Sequence, residues 1–268
     1  MTQNAMIRRI ATRVERPIGK ADERTVSWAC GLAVRTGASV EALAYETAVL
    51  TAPVPGADAS FDAARRRLSE VADLAGASLH AHDRASYAEG IGETFAAMAR
   101  LCDIAVLGLP DRSDAAFRMI ASAAIFDGCP TILLPQGEAS LPQPQRILVA
   151  WKPGAPAARA LKAAIALAGA AGELLIVQME EPDTTRAEET GIEAAQFAAM
   201  HGVSAVFQPA PLNGESAIAT LNEAADGFAA DLVALGAIRH GPLHRALFGS
   251  LTNAVLDSPI RRPTLLAG

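Results

Sequence analysis

DLVALGAIRHGPLHRALFGSLTN, residues 231–253, is an apolar run that stops on Gly236, then a short polar loop, then Gly249-Ser250 opening onto a second apolar segment. A continuous apolar run reads as a buried parallel strand, and a glycine at its end lets the backbone turn away and approach a ligand closely. Backbone N–H groups presented by a glycine loop or a helix N-terminus cradle anions, and the Ser250 hydroxyl would add a further donor. The first half of the chain holds a matching strand, DIAVLG at 103–108, but the residues after it are different.

Working outward, short β-prone runs alternate with helical patterns along the whole chain. In the first half, strands are expected at Arg9–Val14, Ser39–Tyr45, Ser78–His82, Ile104–Leu107 and Thr131–Leu134, with helices at Ala21–Arg35, Phe61–Leu74 and Ile91–Arg100. The second half repeats the order: strands at Arg146–Trp151, Glu173–Met179, Ser204–Gln208, Leu232–Leu235 and Thr264–Ala267, with helices at Pro156–Ala168, Arg186–His201, Glu215–Phe228 and Leu251–Leu256. Strands alternating with helices imply βαβ units and a parallel sheet. DIAVLG at 103 and DLVALG at 231 are 128 apart, and CPTILL at 129 and RPTLLA at 262 are 133 apart. This near-constant offset predicts an α/β fold of two tandem Rossmann-like domains, each a five-stranded parallel sheet with helices on both faces. The expected domains are 1–135 and 146–268, joined by the polar, proline-punctuated linker QGEASLPQPQ at 136–145.

Composition narrows the function. Hydrophobic residues make up 51% of the 268, enough to bury a substantial core and to exclude disorder over the whole chain. The longest apolar stretches, 160–171 and 228–238, are interrupted well before the ~20 residues of a bilayer span. The N-terminal MTQNAMIRRIATRVE has arginines but no apolar core behind them, so no secretory signal is predicted and the expected location is cytoplasmic. Cys30, Cys102 and Cys129 are isolated among apolar neighbours and read as buried thiols rather than a disulfide framework. The balance of 23 Lys+Arg against 29 Asp+Glu gives −6, which argues against a nucleic-acid surface. Lys20, Lys152 and Lys162 are the only lysines, and none stands in a P-loop.

The candidate chemistry gathers after residue 236. Arg239, His240, His244 and Arg245 form a local basic cluster in an acidic chain, which raises the anion potential where a phosphate would dock. Lys152, at the carboxyl end of its strand, stands where open α/β sheets bind ligands and would pair with an anion held by the Gly236 loop. Each residue has a plainer reading as well. Gly236 serves equally as a tight turn, Gly249-Ser250 as an ordinary helix start with Ser250 as its cap, and Lys152 or the basic cluster as solvated loop. Gly241-Pro242 breaks helical spacing between His240 and His244, so no metal pair is expected; His80 and His82 share one face of a strand and suggest a surface role. Trp28 and Trp151 are read as packing, and the carboxylates of FDAARRRLSE, 61–70, as a solvated helix face. There is no GxSxG, HExxH or GxGxxG, so no catalytic residues are assigned.

The tandem βαβ plan, the signature V-A-W-x-x-x-x-x-A-A-R-A at 149–160 and the Gly236–Ser250 loop together resemble the universal stress protein family in its two-domain form. The resemblance covers nearly the whole chain, weakly over 1–135 and well over 145–268. It implies the loop G-x-x-G-x(9)-G-[ST], which holds the ribose and phosphates of ATP in that family. Gly236, Gly249 and Ser250 fit, whereas Arg239 stands at the second glycine and Lys152 at an adenine-reading aspartate. In the first half Asp111 and Asp114 replace the loop's glycines, and Gly108 to Pro130 spans 22 positions against 27 from Gly236 to Pro263. A phosphate there would meet negative charge. The resemblance therefore implies a non-catalytic regulatory module of the stress response, with ATP or another adenine nucleotide, or a similar anion, in the second domain only. Its candidate site is Gly236, Arg239, His240, Gly249, Ser250 and Lys152. It also implies pairing of the two domains within the chain or of two chains as a homodimer, while the acidic balance and the interrupted apolar stretches argue against a nucleic-acid or membrane partner. The alternatives are a slow nucleotide hydrolase acting through Arg239 or Lys152, and a ligand-free interaction scaffold.

Overall fold

Burial on both faces selects the central strands. The computed structural model describes residues 7–48, 57–83, 86–87, 90–110, 114–137, 141–180, 185–212, 216–238 and 261–268. The chain divides into two compact units, Ile7–Ala139 and Ser140–Gly268.

In the first unit, β1 (Arg9–Glu15), α1 (Lys20–Thr36), β2 (Ser39–Tyr45), β3 (Thr47–Ala48), α2 (Ala57–Ala75), β4 (Ser78–Asp83), β5 (Ser86–Tyr87), α3 (Ile91–Ala99), β6 (Ile104–Gly108), α4 (Ala115–Ala123) and β7 (Thr131–Leu134) follow in order. The main sheet runs β7-β6-β1-β2-β4, all parallel, and β3 pairs with β5 in a small parallel ribbon. Ile10, Leu43, Ile104, Leu107, Ile132 and Leu133 are fully buried, each stabilising the sheet by roughly 1.5–3 kcal/mol. Helix α1 buries the stripe Thr25, Val26, Trp28, Ala29, Leu32 and Ala33, and ends at Gly37, whose φ of 70° suits glycine and whose N–H bonds the Ala33 carbonyl. Helix α1 packs beside α2, and α3 beside α4. Right-handed crossovers place these two pairs on opposite faces.

The second unit follows the same plan. It contains β8 (Arg146–Ala150), α5 (Ala155–Ala168), β9 (Glu173–Glu180), α6 (Thr185–Met200), β10 (Ser204–Pro211), α7 (Ala217–Gly227), β11 (Leu232–Gly236) and β12 (Thr264–Ala267). Its strands lie in the parallel order β10-β9-β8-β11-β12. An identical clamp starts both units: the Asp103 carboxylate accepts the Arg8 and Arg9 backbone N–H groups, and the Asp231 carboxylate those of Gln145 and Arg146. Arg9 then pairs with Glu41, and Arg146 with Glu173.

The β3–β5 ribbon was not expected from sequence, α2 starts four residues before the expected Phe61, and three further local features depart from the sequence reading. Helix α4 and the π-helical turn Ala124–Gly128 fill a stretch given no element; the Asp114 side chain caps α4 by accepting the Ala116 N–H at 2.9 Å. Strand β10 continues through Pro209 and Pro211, because a strand with a neighbour on one side alone tolerates a missing N–H. Helix α7 begins two residues late, where Ser216 caps the Ala219 N–H. The helix expected at Leu251–Leu256 lies outside the described residues. Cys30, Cys102 and Cys129 are free and buried, and Trp28 is in the core, as expected.

Candidate functional site

In each sheet the first strand has the second on one side and the fourth on the other. The chain's winding reverses there, and open α/β sheets bind ligands in the crevice at that carboxyl end. In the second unit this crevice lies between β8 and β11. It is lined by Ala150, Trp151, Lys152, Pro153 and Gly154 after β8, Pro156 and Ala157 of α5, Met179 of β9, and Leu235, Gly236 and Ile238 of β11 and its exit. Counting space open to solvent, it holds about 700 Å³.

Gly236 shapes it by what it lacks. A Cβ there would lie 2.6 Å from Ala157 N and 2.9 Å from the Pro156 carbonyl carbon, both backbone atoms with no freedom to yield. The first turn of α5 therefore seats directly on the end of β11. Gly108 plays the same part in the first unit, where an added Cβ would collide with the Thr25 hydroxyl. Close strand-to-helix approach explains both glycines without a ligand. Gly154 precedes α5 without a side-chain cap. Trp151 is tied at both ends of its residue: its backbone N–H donates to the Val177 carbonyl at 2.7 Å and its indole N–H to Thr190 Oγ1 at 3.3 Å. Lys152 is exposed at the crevice.

Register shows why the first unit differs. Ile10 pairs with Ile104 as Ile147 pairs with Leu232, so Arg13 falls on Ala150 and Glu15 on Lys152. Arg13 pairs with Leu43 as Ala150 pairs with Val177, so Tyr45 falls on Met179. Asp22 and Ala157 are each the third residue of the following helix. The three lining positions Ala150, Met179 and Ala157 thus become Arg13, Tyr45 and Asp22. These three bind one another: Arg13 Nη1 donates to the Tyr45 hydroxyl at 2.9 Å and lies 3.9 Å from the Asp22 carboxylate, with its guanidinium 5.8 Å and 5.5 Å from the Tyr45 and Phe117 ring centres. Burial pushes Asp22 above the usual carboxylate range, opposed by Arg13 and by the Glu15 N–H, and burial pushes Tyr45 up to about 12. Further out, the buried Arg16 guanidinium lies 3.3 Å from Asp83 and 3.8 Å from Glu46. The crevice of the first unit is filled by its own side chains.

Of the six site residues expected from sequence, Gly236 and Lys152 share the crevice; Arg239, His240, Gly249 and Ser250 lie outside the described residues, as do His244, Arg245 and Asp111. The sequence reading missed Ala150, Met179 and Ala157, whose signal is smallness or apolarity where the first unit carries Arg13, Tyr45 and Asp22. It also missed the tie between His80, His82 and Glu41. Glu41 is buried on β2 and accepts from His82 Nε2 at 2.7 Å and from His80 Nδ1 and Arg9 Nε at 3.2 and 3.3 Å. Burial would raise this carboxyl, but hydrogen bonds from His82 and His80 and the Arg9 charge hold it down at about 2. Among the described residues no cluster of three or more His, Cys, Asp or Glu could hold a metal ion, and no helix is long and apolar enough to cross a membrane.

Residues 144–259 match the model of the Universal stress protein family. A universal stress protein from Archaeoglobus fulgidus DSM 4304 superimposes with a TM-score of 0.70 at 17% identity, covering 96% of this chain and 95% of its own. A functionally unknown protein from Pseudomonas aeruginosa PAO1 does so with a TM-score of 0.57 at 18% identity, covering 97% of this chain and 92% of its own. No curated protein matches. At these identities the two structures speak for the fold, while the family match covers the unit whose crevice is open. Over residues 144–259, within its second unit, the chain is similar to the universal stress protein family.

Proposed function

We propose that this chain is a non-catalytic regulatory module of the stress response that binds one adenine nucleotide or similar anion in the second unit and none in the first. The observation that carries this reading is the contrast at a single topological position. Ala150, Ala157 and Met179 leave the crevice between β8 and β11 open, whereas Arg13, Asp22 and Tyr45 close its counterpart. Lys152 supplies positive charge at the open crevice, and a cation near a low-dielectric wall raises local anion concentration. Gly236 brings the first turn of α5 against the same wall. In this reading Arg239, His240, Gly249 and Ser250 complete the anion site from the following loop, and the chain works in the cytoplasm without nucleic-acid or membrane partners.

Calorimetric titration of the whole chain with ATP, ADP and AMP tests it. The expected result is one site per chain, weakened about tenfold or more by Lys152→Glu. Binding that ignores Lys152→Glu, or two sites per chain, contradicts it.

A further inference from the structure

We infer that the first unit carries a metal site in which His80 and His82 ligate a divalent transition-metal ion of the Ni2+ or Cu2+ class, with the Glu41 carboxylate behind them orienting both rings. The two imidazoles are residues i and i+2 of β4, so they rise from one face of the strand with Cα atoms roughly 6–7 Å apart. Glu41, directly opposite His80 on β2, reaches both: His80 Nδ1 lies 3.2 Å from its Oε1 and His82 Nε2 lies 2.7 Å from its Oε2. A carboxylate accepts and does not donate, so each ring carries its proton on the nitrogen that faces Glu41. The lone pairs are left on His80 Nε2 and His82 Nδ1, and neither atom bonds another described residue. The His80 and His82 side chains are 59% and 37% exposed and that of Glu41 is 5% exposed, so solvent reaches the rings and not the carboxylate.

Metal-binding histidines divide their nitrogens in this way. The N–H of one nitrogen goes to a carboxylate, which fixes the tautomer, holds the ring and makes the other nitrogen a better ligand. Imidazole suits borderline ions and not the oxygen-seeking Mg2+ and Ca2+. A third protein ligand is absent among the described residues, so water completes the coordination, which fits Ni2+ or Cu2+ better than a closed tetrahedral zinc site. Arg9 stands on the other side of Glu41, on β1, where its Nε lies 3.3 Å from Oε1 and its Nη1 donates to the Leu101 carbonyl; Ser39 Oγ donates to the same Oε1. With β2 between them, β1 and β4 are about 9–10 Å apart, which keeps the guanidinium away from the rings. The fold itself does not demand this cluster. Arg9 pairs with Ser39 as Arg146 pairs with Glu173, and Ser39 with Ser78 as Glu173 with Ser204, so Glu41, His80 and His82 fall on Leu175, Val206 and Gln208. The same three strands pair in the second unit without a carboxylate or an imidazole at these places.

Calorimetric titration of the whole chain with Ni2+ tests the site, with Mg2+ as the hard-cation control. The deciding variants are His80→Asn and His82→Gln, because each keeps an N–H for Glu41 while deleting the ligating nitrogen. Each is expected to weaken one Ni2+ site at least about tenfold, with the melting temperature close to that of the parent; Glu41→Gln should weaken the same site about tenfold by loosening both rings. In the parent, substoichiometric Ni2+ should broaden the ring NMR signals of His80 and His82. If a variant fails to fold, this measurement on the parent decides. Three results overturn the assignment: no Ni2+ binding, binding that survives both histidine variants unchanged, or broadening confined to His201, His240 and His244. Mg2+ displacing Ni2+ from the site overturns the class of ion, and Ni2+ affinity indifferent to Glu41→Gln overturns the role given to the carboxylate.

Discussion

Arg13 and Ala150 hold the same place in their sheets, and Arg13 with Tyr45 and Asp22 fills what Ala150, Met179 and Ala157 leave open. Removing the Arg13 guanidinium strands the buried Tyr45 hydroxyl and leaves the half-buried Asp22 carboxylate with the Glu15 N–H as a remaining donor. Leaving a buried partner uncompensated costs more than the pair itself contributes, so Arg13→Ala should lower stability by about 3 kcal/mol in urea unfolding. Arg13→Met with Asp22→Leu, which removes both charges at similar volume, should recover most of that loss. Glu41 sets a second test. Its folded pKa, about 2, lies below the ordinary value of 4.5. A depressed carboxyl contributes stability that is complete above its unfolded pKa and lost as pH falls through the folded one. The melting temperature should therefore drop between about pH 5 and pH 2, and Glu41→Gln should start lower at pH 7 and fall less steeply; parallel curves would disprove this role for Glu41.

At the scale of elements, the seating of α5 on β11 depends on one missing methyl group. Gly236→Ala drives a Cβ into the Pro156–Ala157 backbone, and overpacking of this kind costs about 1–3 kcal/mol. Gly227→Ala, with nothing within 4 Å of the added Cβ, should be close to neutral. Comparing the two by thermal unfolding separates steric fit from loss of glycine as such. The cap of α4 is a smaller item of the same kind: Asp114→Ala should cost about 0.5–2 kcal/mol by withdrawing the acceptor for Ala116 N–H. Alternation of apolar runs and helical periods made the succession of strands in both units readable in sequence, because central parallel strands are apolar on both faces. Helix α4 was not readable: its start is a capping aspartate that also reads as acid in a loop. The crevice was half readable. Gly236 and Lys152 stand out by residue type and position, while Ala150, Met179 and Ala157 gain meaning only when register places them opposite Arg13, Tyr45 and Asp22. His80 and His82 looked like surface residues because their partner, Glu41, is remote in sequence and meets them only when β2 pairs with β4.

For the whole molecule, two units of one topology differ most plainly in the crevice beside the first strand. One has spent its crevice on an internal ion pair with aromatic walls, and the other has kept a cavity with a cation at its mouth. The shared clamps at Asp103 and Asp231 hold the amino ends of the two first strands alike. In the proposed reading, labour is divided, with stability from the filled unit and ligand response from the open one. The most direct measurement is the stoichiometry of anion binding to the intact chain, by calorimetry with ATP, ADP and AMP, in the parent and in Lys152→Glu. One site per chain, weakened by Lys152→Glu, is the predicted result; two sites, or one site indifferent to Lys152, would contradict the account.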